Sequence, residues 1–335
     1  MVRVNEPTSP SNQRNTPTTL LQPAFAATKP AFIVMPKQVP SQPQPLPSIS
    51  WMQKLVKSLL SVFPKALKPH LFEMLVKTSS FIGWSPYHNI FCLPFKLVMK
   101  TTDRAVEADA LRFVASLRGI DAPTLIDFSS APGKTYILST WIDGDCVSDI
   151  WERLTLLDKE MIVQDMKSQY SAMRQETSTR DHVICSASGV SIEDPRVPWL
   201  EELPDATFSS SRQFMEQVWV GLNNDRTPRP LYQMLIPLIQ RDTPIVFTHG
   251  DALPKNIILP GGLELYRRGH SRLCIIDWEY AGWMPEPWEA IKATWLVSDR
   301  DEEEWYRMMR EVFPDQCEVL DAEWEWRTQL RITIL

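Results

Sequence analysis

Between Ile245 and Asp277 three short apolar runs alternate with polar loops, and that island constrains the chain more than any other stretch. Ile245-Val246-Phe247, Ile257-Ile258-Leu259 and Leu273-Cys274-Ile275-Ile276 read as strands, each a brief apolar run bounded by turn residues. The first two are joined by Thr248-His249-Gly250-Asp251-Ala252-Leu253-Pro254-Lys255-Asn256. A turn-rich stretch through Pro260-Gly261-Gly262 and Arg267-Arg268-Gly269-His270 joins the last two. Asp251 and Asn256 therefore share one loop, five residues apart, and Asp277 ends the third run. Helical patterns flank the island. Phe214, Val218 and Leu222 mark one helix and Leu235 to Ile239 belongs to another, while Trp288, Ile291 and Trp295 form a stripe beyond it.

Upstream, Ile90 to Lys100 reads as strand with a turn at Pro94. A helix follows from about Ala105, with Leu111, Val114 and Leu117 on one stripe. Thr135 to Ile142 reads as a buried strand that ends in a turn at Asp143-Gly144-Asp145. A long helix comes next, with Ile162, Met166, Tyr170 and Met173 on its apolar face. Residues 51–84 read as a helical extension, in which Leu55, Leu59, Leu60, Leu71, Met74 and Leu75 recur at helical spacing around the break at Pro64. Lys54, Lys57, Lys65 and Lys68 make it basic and amphipathic. Such a helix more often packs on its own domain; the alternative is a membrane surface. Residues 1–50 are crowded with Pro, Ser, Thr and Gln and read as a disordered tail, because little apolar surface is available to offset the entropy of ordering. A solvated tail is the plain reading and a polyproline ligand for an unidentified partner the alternative; the proline density argues against a presequence helix.

Composition excludes some functions. A net charge of -6 lacks the basic field of a dedicated nucleic-acid binder. No stretch approaches the roughly 18 uninterrupted apolar residues of a membrane span, and no secretory signal is expected at the N-terminus. The five cysteines are scattered without a CxxC pair, so neither a zinc site nor a disulfide framework is expected. A reducing compartment, the cytoplasm, is the expectation.

The Asp251, Asn256 and Asp277 set matches what phosphoryl transfer requires. One carboxylate receives or orients the proton of the attacking hydroxyl, while an amide oxygen and a second carboxylate hold Mg²⁺ against the ATP phosphates. His249-Gly250-Asp251, with Asn256 five residues on, followed by Ile275-Ile276-Asp277-Trp278-Glu279, resembles the aminoglycoside phosphotransferase and choline-kinase-like group. Asp277 to Trp283, with Pro285 and Trp288 beyond, looks like the fungal branch of that group. The resemblance covers about residues 85–300, with its specificity concentrated in 245–295.

The resemblance implies an α+β, bilobal protein-kinase-like fold, with a small strand/helix lobe at 85–142 and a larger, mainly helical lobe at 143–335. It implies an ATP-dependent transfer of phosphate to a small-molecule hydroxyl acceptor, with ATP and Mg²⁺ as cofactors. Asp251 is then the catalytic base, Asn256 and Asp277 are the metal ligands, and His249 braces the catalytic loop. Lys255 touches a phosphate or is an exposed loop charge. A strand lysine held by a helix glutamate is also implied: Lys100 and Glu107 match in kind and order, with Asp109 as the competing partner. The backbone from Ser139 to Trp141 would meet the adenine edge. One feature departs from the pattern. Residues 84–118 hold no glycine, so the glycine-rich turn that covers the phosphates is missing, its strands being absent or another turn serving instead. Three rival readings remain: a kinase-like protein that binds without catalysing, a metal-dependent hydrolase using His249, Asp251 and Asp277, and, behind these, a kinase acting on protein hydroxyls. For the acceptor, Trp278, Trp283, Trp288 and Trp295 are either core residues or a cage for a quaternary amine, and the acidic run Asp301 to Glu304 is a solvated face or a lure for a cationic alcohol.

Overall fold

Alternation along Leu97-Val98-Met99-Lys100 decides the first layer: Leu97 and Met99 are buried on one face of their strand, so Lys100 emerges on the other. The computed structural model describes residues 46, 48–83, 85–179, 183–197, 200, 207–222 and 227–329; residues 1–45 and 47 of the proline-rich tail lie outside them. Strands β1 (Ile90–Leu93), β2 (Leu97–Thr102), β3 (Leu125–Ala131) and β4 (Lys134–Thr140) form an antiparallel sheet in the order β1-β2-β4-β3. Helices α1 (Trp51–Val62) and α2 (Lys68–Ile82) cover the face that carries Leu97, Met99, Tyr136 and Leu138, inserting Leu60, Phe72 and Val76. Ser50 and Gln53 close a capping box at the start of α1. Lys100 pairs with Ile137 across β2 and β4 on the opposite face. There α3 (Val106–Val114) turns Ala110, Leu111 and Val114 into a core shared with the second lobe.

Strand β3 escapes sequence reading because Asp127, Ser129 and Ser130 break its apolar pattern. Pairing with β4 supplies its ladder, and Lys68 neutralises Asp127 at 2.6 Å.

The second lobe is mainly helical. Helix α4 (Leu156–Thr177) starts at a Thr155–Asp158 capping box and buries Ile162, Met166, Tyr170 and Met173, the face its periodicity predicts. Around it lie α5 (Ser211–Val218), α6 (Arg229–Gln240), α8 (Trp288–Thr294), α9 (Glu304–Val312) and α10 (Cys317–Gln329). Leu222 lies beyond the end of α5. The stretch expected to be all turn between Pro260 and His270 contains a short helix, α7 (Leu263–Arg267), held by burial of Leu263 and Tyr266 and by Arg267 on Asp158.

Two three-stranded sheets present the candidate site segments. Strands β5 (Gly144–Cys146), β8 (Ile257–Pro260) and β9 (Cys274–Ile275) make one, in the order β5-β8-β9. Strands β6 (Cys185–Ser186), β7 (Ile245–Thr248) and β10 (Gly282–Pro285) make the other, with β10 central. Gly144 is required at its position because a Cβ there would meet the Leu259 carbonyl oxygen at 2.1 Å. Two buried ion pairs tie the 190s segment to the helices: Arg196 reaches Glu323 with two nitrogens, and Lys292 reaches Asp194 at 2.9 Å. Trp278, Trp288 and Trp295 are core residues, and Trp283 packs between Phe113 and Phe247. The aromatic cage considered for the acceptor is therefore not formed by these side chains.

Candidate active site

The loop between β7 and β8 is held rigid by its own polar groups. The Asn256 side-chain amide donates to the Asp251 carbonyl at 2.9 Å and to the Asp251 carboxylate at 2.7 Å. Both donations of that amide nitrogen are thereby committed to Asp251. Lys255 adds a 3.2 Å contact to the same carboxylate from an exposed position. A 3-10 turn at Pro254–Asn256 brings Asn256 back beneath Asp251. Gly250 adopts φ +77°, and a Cβ there would lie 2.5 Å from the Tyr280 carbonyl oxygen, so the turn needs glycine twice over.

His249 is fully buried against Trp278. Its Nε2 lies 2.9 Å from the Ile276 carbonyl and its Nδ1 accepts the Asp251 amide at 3.2 Å, an arrangement that one neutral tautomer satisfies. Burial lowers its pKa, which keeps the ring uncharged. With both nitrogens engaged, His249 links the Asp251 loop to the strand that ends at Asp277.

Asp277 follows β9 with φ +65°, a strained conformation for a non-glycine residue. Lys100 connects it to the first lobe. The Lys100 ammonium meets Glu107 at 2.8 Å, Glu279 at 3.2 Å and the Asp277 carboxylate. Burial alone would lower the Lys100 pKa, but Glu107, Asp277 and Glu279 outweigh it and raise it. Glu107 is the partner on α3; Asp109 instead contacts Arg112 and the Ser188 hydroxyl. Burial raises the Glu107 pKa against the pull of Lys100.

The remaining residues anticipated for the nucleotide sit at the end of β4. Ser139 shares the sheet face of Lys100, since Val98–Ser139 and Lys100–Ile137 are pairs of the same parity. The Trp141 amide donates to the Lys96 carbonyl at 2.9 Å, so that N–H is already committed. Among the described residues no strand precedes β1 in this sheet; the chain enters it from α2 through a turn at Tyr87–Asn89, whose Asn89 carbonyl accepts the Thr101 amide. That turn occupies the edge beside Lys100, and the only sharp turn between β1 and β2 places Phe95 and Lys96 at positive φ under two hydrogen bonds from Gln53 of α1.

Two residues escaped sequence reasoning. Glu289, at the start of α8, is buried, and its carboxylate accepts the backbone amides of His249 at 2.6 Å and Gly250 at 3.3 Å. Burial pushes its pKa up to about 7 against those two hydrogen bonds. Its one sequence signal is an acid in the first turn of a helix just after Pro287, which is common at any helix start. Glu279, two residues past Asp277, adds the third carboxylate on Lys100.

Residues 100–313, well over half of the chain, match the model of APH, the phosphotransferase enzyme family. The chain belongs to that family. The phosphotransferase has the α+β, protein-kinase-like fold that its motifs imply, with Lys100 on a strand, Glu107 on a helix, and Asp251, Asn256 and Asp277 on the loops of the second lobe. Solved structures resemble it distantly. Aminoglycoside phosphotransferase APH(3'')-Id from Streptomyces rimosus, in complex with ADP and streptomycin, is 14% identical with a TM-score of 0.43, over 78% of this chain and 96% of that one. An aminoglycoside-3'-phosphotransferase of type VIII is 12% identical with a TM-score of 0.38, over 74% of this chain and 98% of that one. No curated relative matches the chain.

Proposed function

We propose that this phosphotransferase is a small-molecule kinase that moves the γ-phosphoryl group of ATP to a hydroxyl of its acceptor. The observation that carries this reading is the convergence of Lys100, Glu107, Asp277 and Glu279 from two lobes beside a preformed Asp251–Asn256 loop. Asp251 accepts the acceptor's hydroxyl proton as that oxygen bonds to the γ-phosphorus and ADP leaves. Lys100, kept charged by its carboxylates, contacts the phosphates, with Glu107 holding it in place. His249 positions Asp251 and takes no proton.

The donor set suits Mg²⁺. The Asn256 amide oxygen and the Asp277 carboxylate are hard oxygen donors, and among the described residues no group of three or more His, Cys, Asp or Glu side chains is arranged to hold a metal alone. The ATP phosphates complete such a shell, and the ion, when bound, neutralises phosphate charge. The acceptor has a place beside this set: a cavity of about 280 Å³, lined by Arg104, Ser188, Glu193, Glu279, Tyr280 and Met284. Tyr280 links it to the catalytic loop, since its carbonyl abuts Gly250. The run Asp301 to Glu304, exposed at its first two residues and half-buried at the last two, contributes instead to its own surroundings, through Glu304 on Lys159 and Glu303 on Ser298.

The absence of a strand before β1 among the described residues favours a second reading, binding without turnover. The deciding experiment is thermal unfolding with and without Mg-ATP, beside an Asp277→Ala variant, followed by ADP release with amino alcohols and sugars as acceptors. Saturation at about a hundred times Kd adds on the order of 2.7 kcal/mol. A magnesium-dependent shift that Asp277→Ala loses is the expected result. No shift at saturating Mg-ATP would refute the kinase reading, and a shift without acceptor-dependent ADP release would favour binding alone.

A further inference from the structure

Helices α1 and α2 are apolar on both sides. Their inner faces pack on the sheet through Leu60, Phe72 and Val76. On the outer side of α1, Trp51, Leu55, Leu59 and Val62 recur at spacings of four, four and three, which places them on one face of the helix. That face is bare: Trp51 is 72%, Leu59 60% and Val62 81% exposed. Helix α2 and the turn before it add Leu67, Met74, Phe81 and Ile82, also exposed. Exposed apolar side chains are ordinary when scattered, but four on one face of α1, with four more along α2 and the turn before it, exceed scatter.

The charge around this surface is one-sided. Residues 51–83 contain five lysines and a single acid, Glu73, in a chain whose net charge is -6. Glu73 is already occupied by Lys134 at 2.9 Å and by the Tyr136 hydroxyl. Lys54 and Lys65 are exposed, and neither forms an ion pair among the described residues. Lys57 reaches the Leu125 carbonyl and Lys68 is spent on Asp127. A second copy of the chain would bring lysines against lysines across such a face. An anionic bilayer instead receives both parts: the apolar stripe enters the acyl boundary and the lysines meet the head groups.

We propose that the outer face of α1 and α2 docks the phosphotransferase on anionic lipid surfaces. No helix among the described residues is long and apolar enough to cross a membrane, so the attachment is peripheral. It is also compatible with catalysis, because α1 and α2 cover the sheet face opposite the one that carries Lys100.

The test is flotation of the full-length protein with vesicles of phosphatidylcholine and with vesicles that also contain phosphatidylserine. The wild-type chain floats with the anionic vesicles and is released by salt. The double variant Leu59→Glu, Val62→Glu melts as the wild type does, because both side chains are already in water, and partitions at least about ten-fold less. Neutralisation of Lys54 and Lys65 to Gln costs about five-fold per site on anionic vesicles and little on neutral ones. Retention of the wild type in the aqueous fraction at low salt would overturn the proposal, as would flotation equal on neutral vesicles or undiminished in the Leu59→Glu, Val62→Glu protein. A concentration-dependent dimer in sedimentation velocity that Leu59→Glu abolishes would assign the face to self-association instead.

Discussion

Replacing Glu289 by Gln tests whether the catalytic loop is held by a buried, titrating carboxylate. In the folded protein the Glu289 pKa is raised from 4.5 to about 7, with burial the dominant cause. Between those values the folded chain binds more protons than the unfolded one, so this residue makes stability fall as pH rises from about 4.5 to about 7. At about 1.4 kcal/mol per pKa unit the full effect is about 3 kcal/mol, an upper bound for a group with two amide donors. Gln cannot ionise and escapes that loss. It does set an amide nitrogen where a carboxylate oxygen faces the Gly250 N–H, a pH-independent cost of about 1–2 kcal/mol. The variant is therefore less stable than the wild type near pH 5, and the difference closes and reverses by about pH 8. Urea denaturation of both proteins across that range measures it. The buried, neutral His249 also makes stability depend on pH, but it is present in both proteins and drops out of the difference. Parallel stability curves for the two proteins would show that Glu289 does not titrate on folding, and the account of the loop's support would fail.

Asp251→Asn preserves the shape of the loop and removes the proposed proton acceptor, so acceptor-dependent ADP release is expected to drop by at least about a hundred-fold while the melting temperature holds; retained turnover would remove Asp251 from the chemistry. Gly250→Ala places a methyl group 2.5 Å from the Tyr280 carbonyl at φ +77°, and a loss of more than about 1 kcal/mol in chemical denaturation, with activity falling alongside, is expected. Arg196→Ala leaves the Glu323 carboxylate buried with the Trp219 indole N–H at 2.7 Å as its close donor; unfolding should become easier by about 3–5 kcal/mol, and a change under about 1 kcal/mol would contradict the buried-pair reading.

The chemistry-bearing residues were legible in the sequence because they are local. Asp251 and Asn256 lie within one loop, Asp277 lies two residues past the strand that pairs with the one following that loop, and together they carry the resemblance to the family. The long amphipathic helix α4 was legible for the same reason, since its period is written in contiguous residues. Short or polar strands were not. Strand β3 carries an aspartate and two serines and takes its ladder from β4, the next strand of its hairpin, while β10 is Gly-Trp-Met-Pro and owes its conformation to β6 and β7, which are distant in the chain. Glu289 was illegible because nothing about an acid in a first helical turn says that it supports a loop forty residues upstream. The sequence by itself determined which groups are candidates for the transfer, since bond chemistry depends on residue type. Only the tertiary structure decided how they are held, through Glu289 under the loop, Glu279 beside Lys100 and two helices across the sheet, because backbone pairing and burial join residues whose separation along the chain carries no periodic signal.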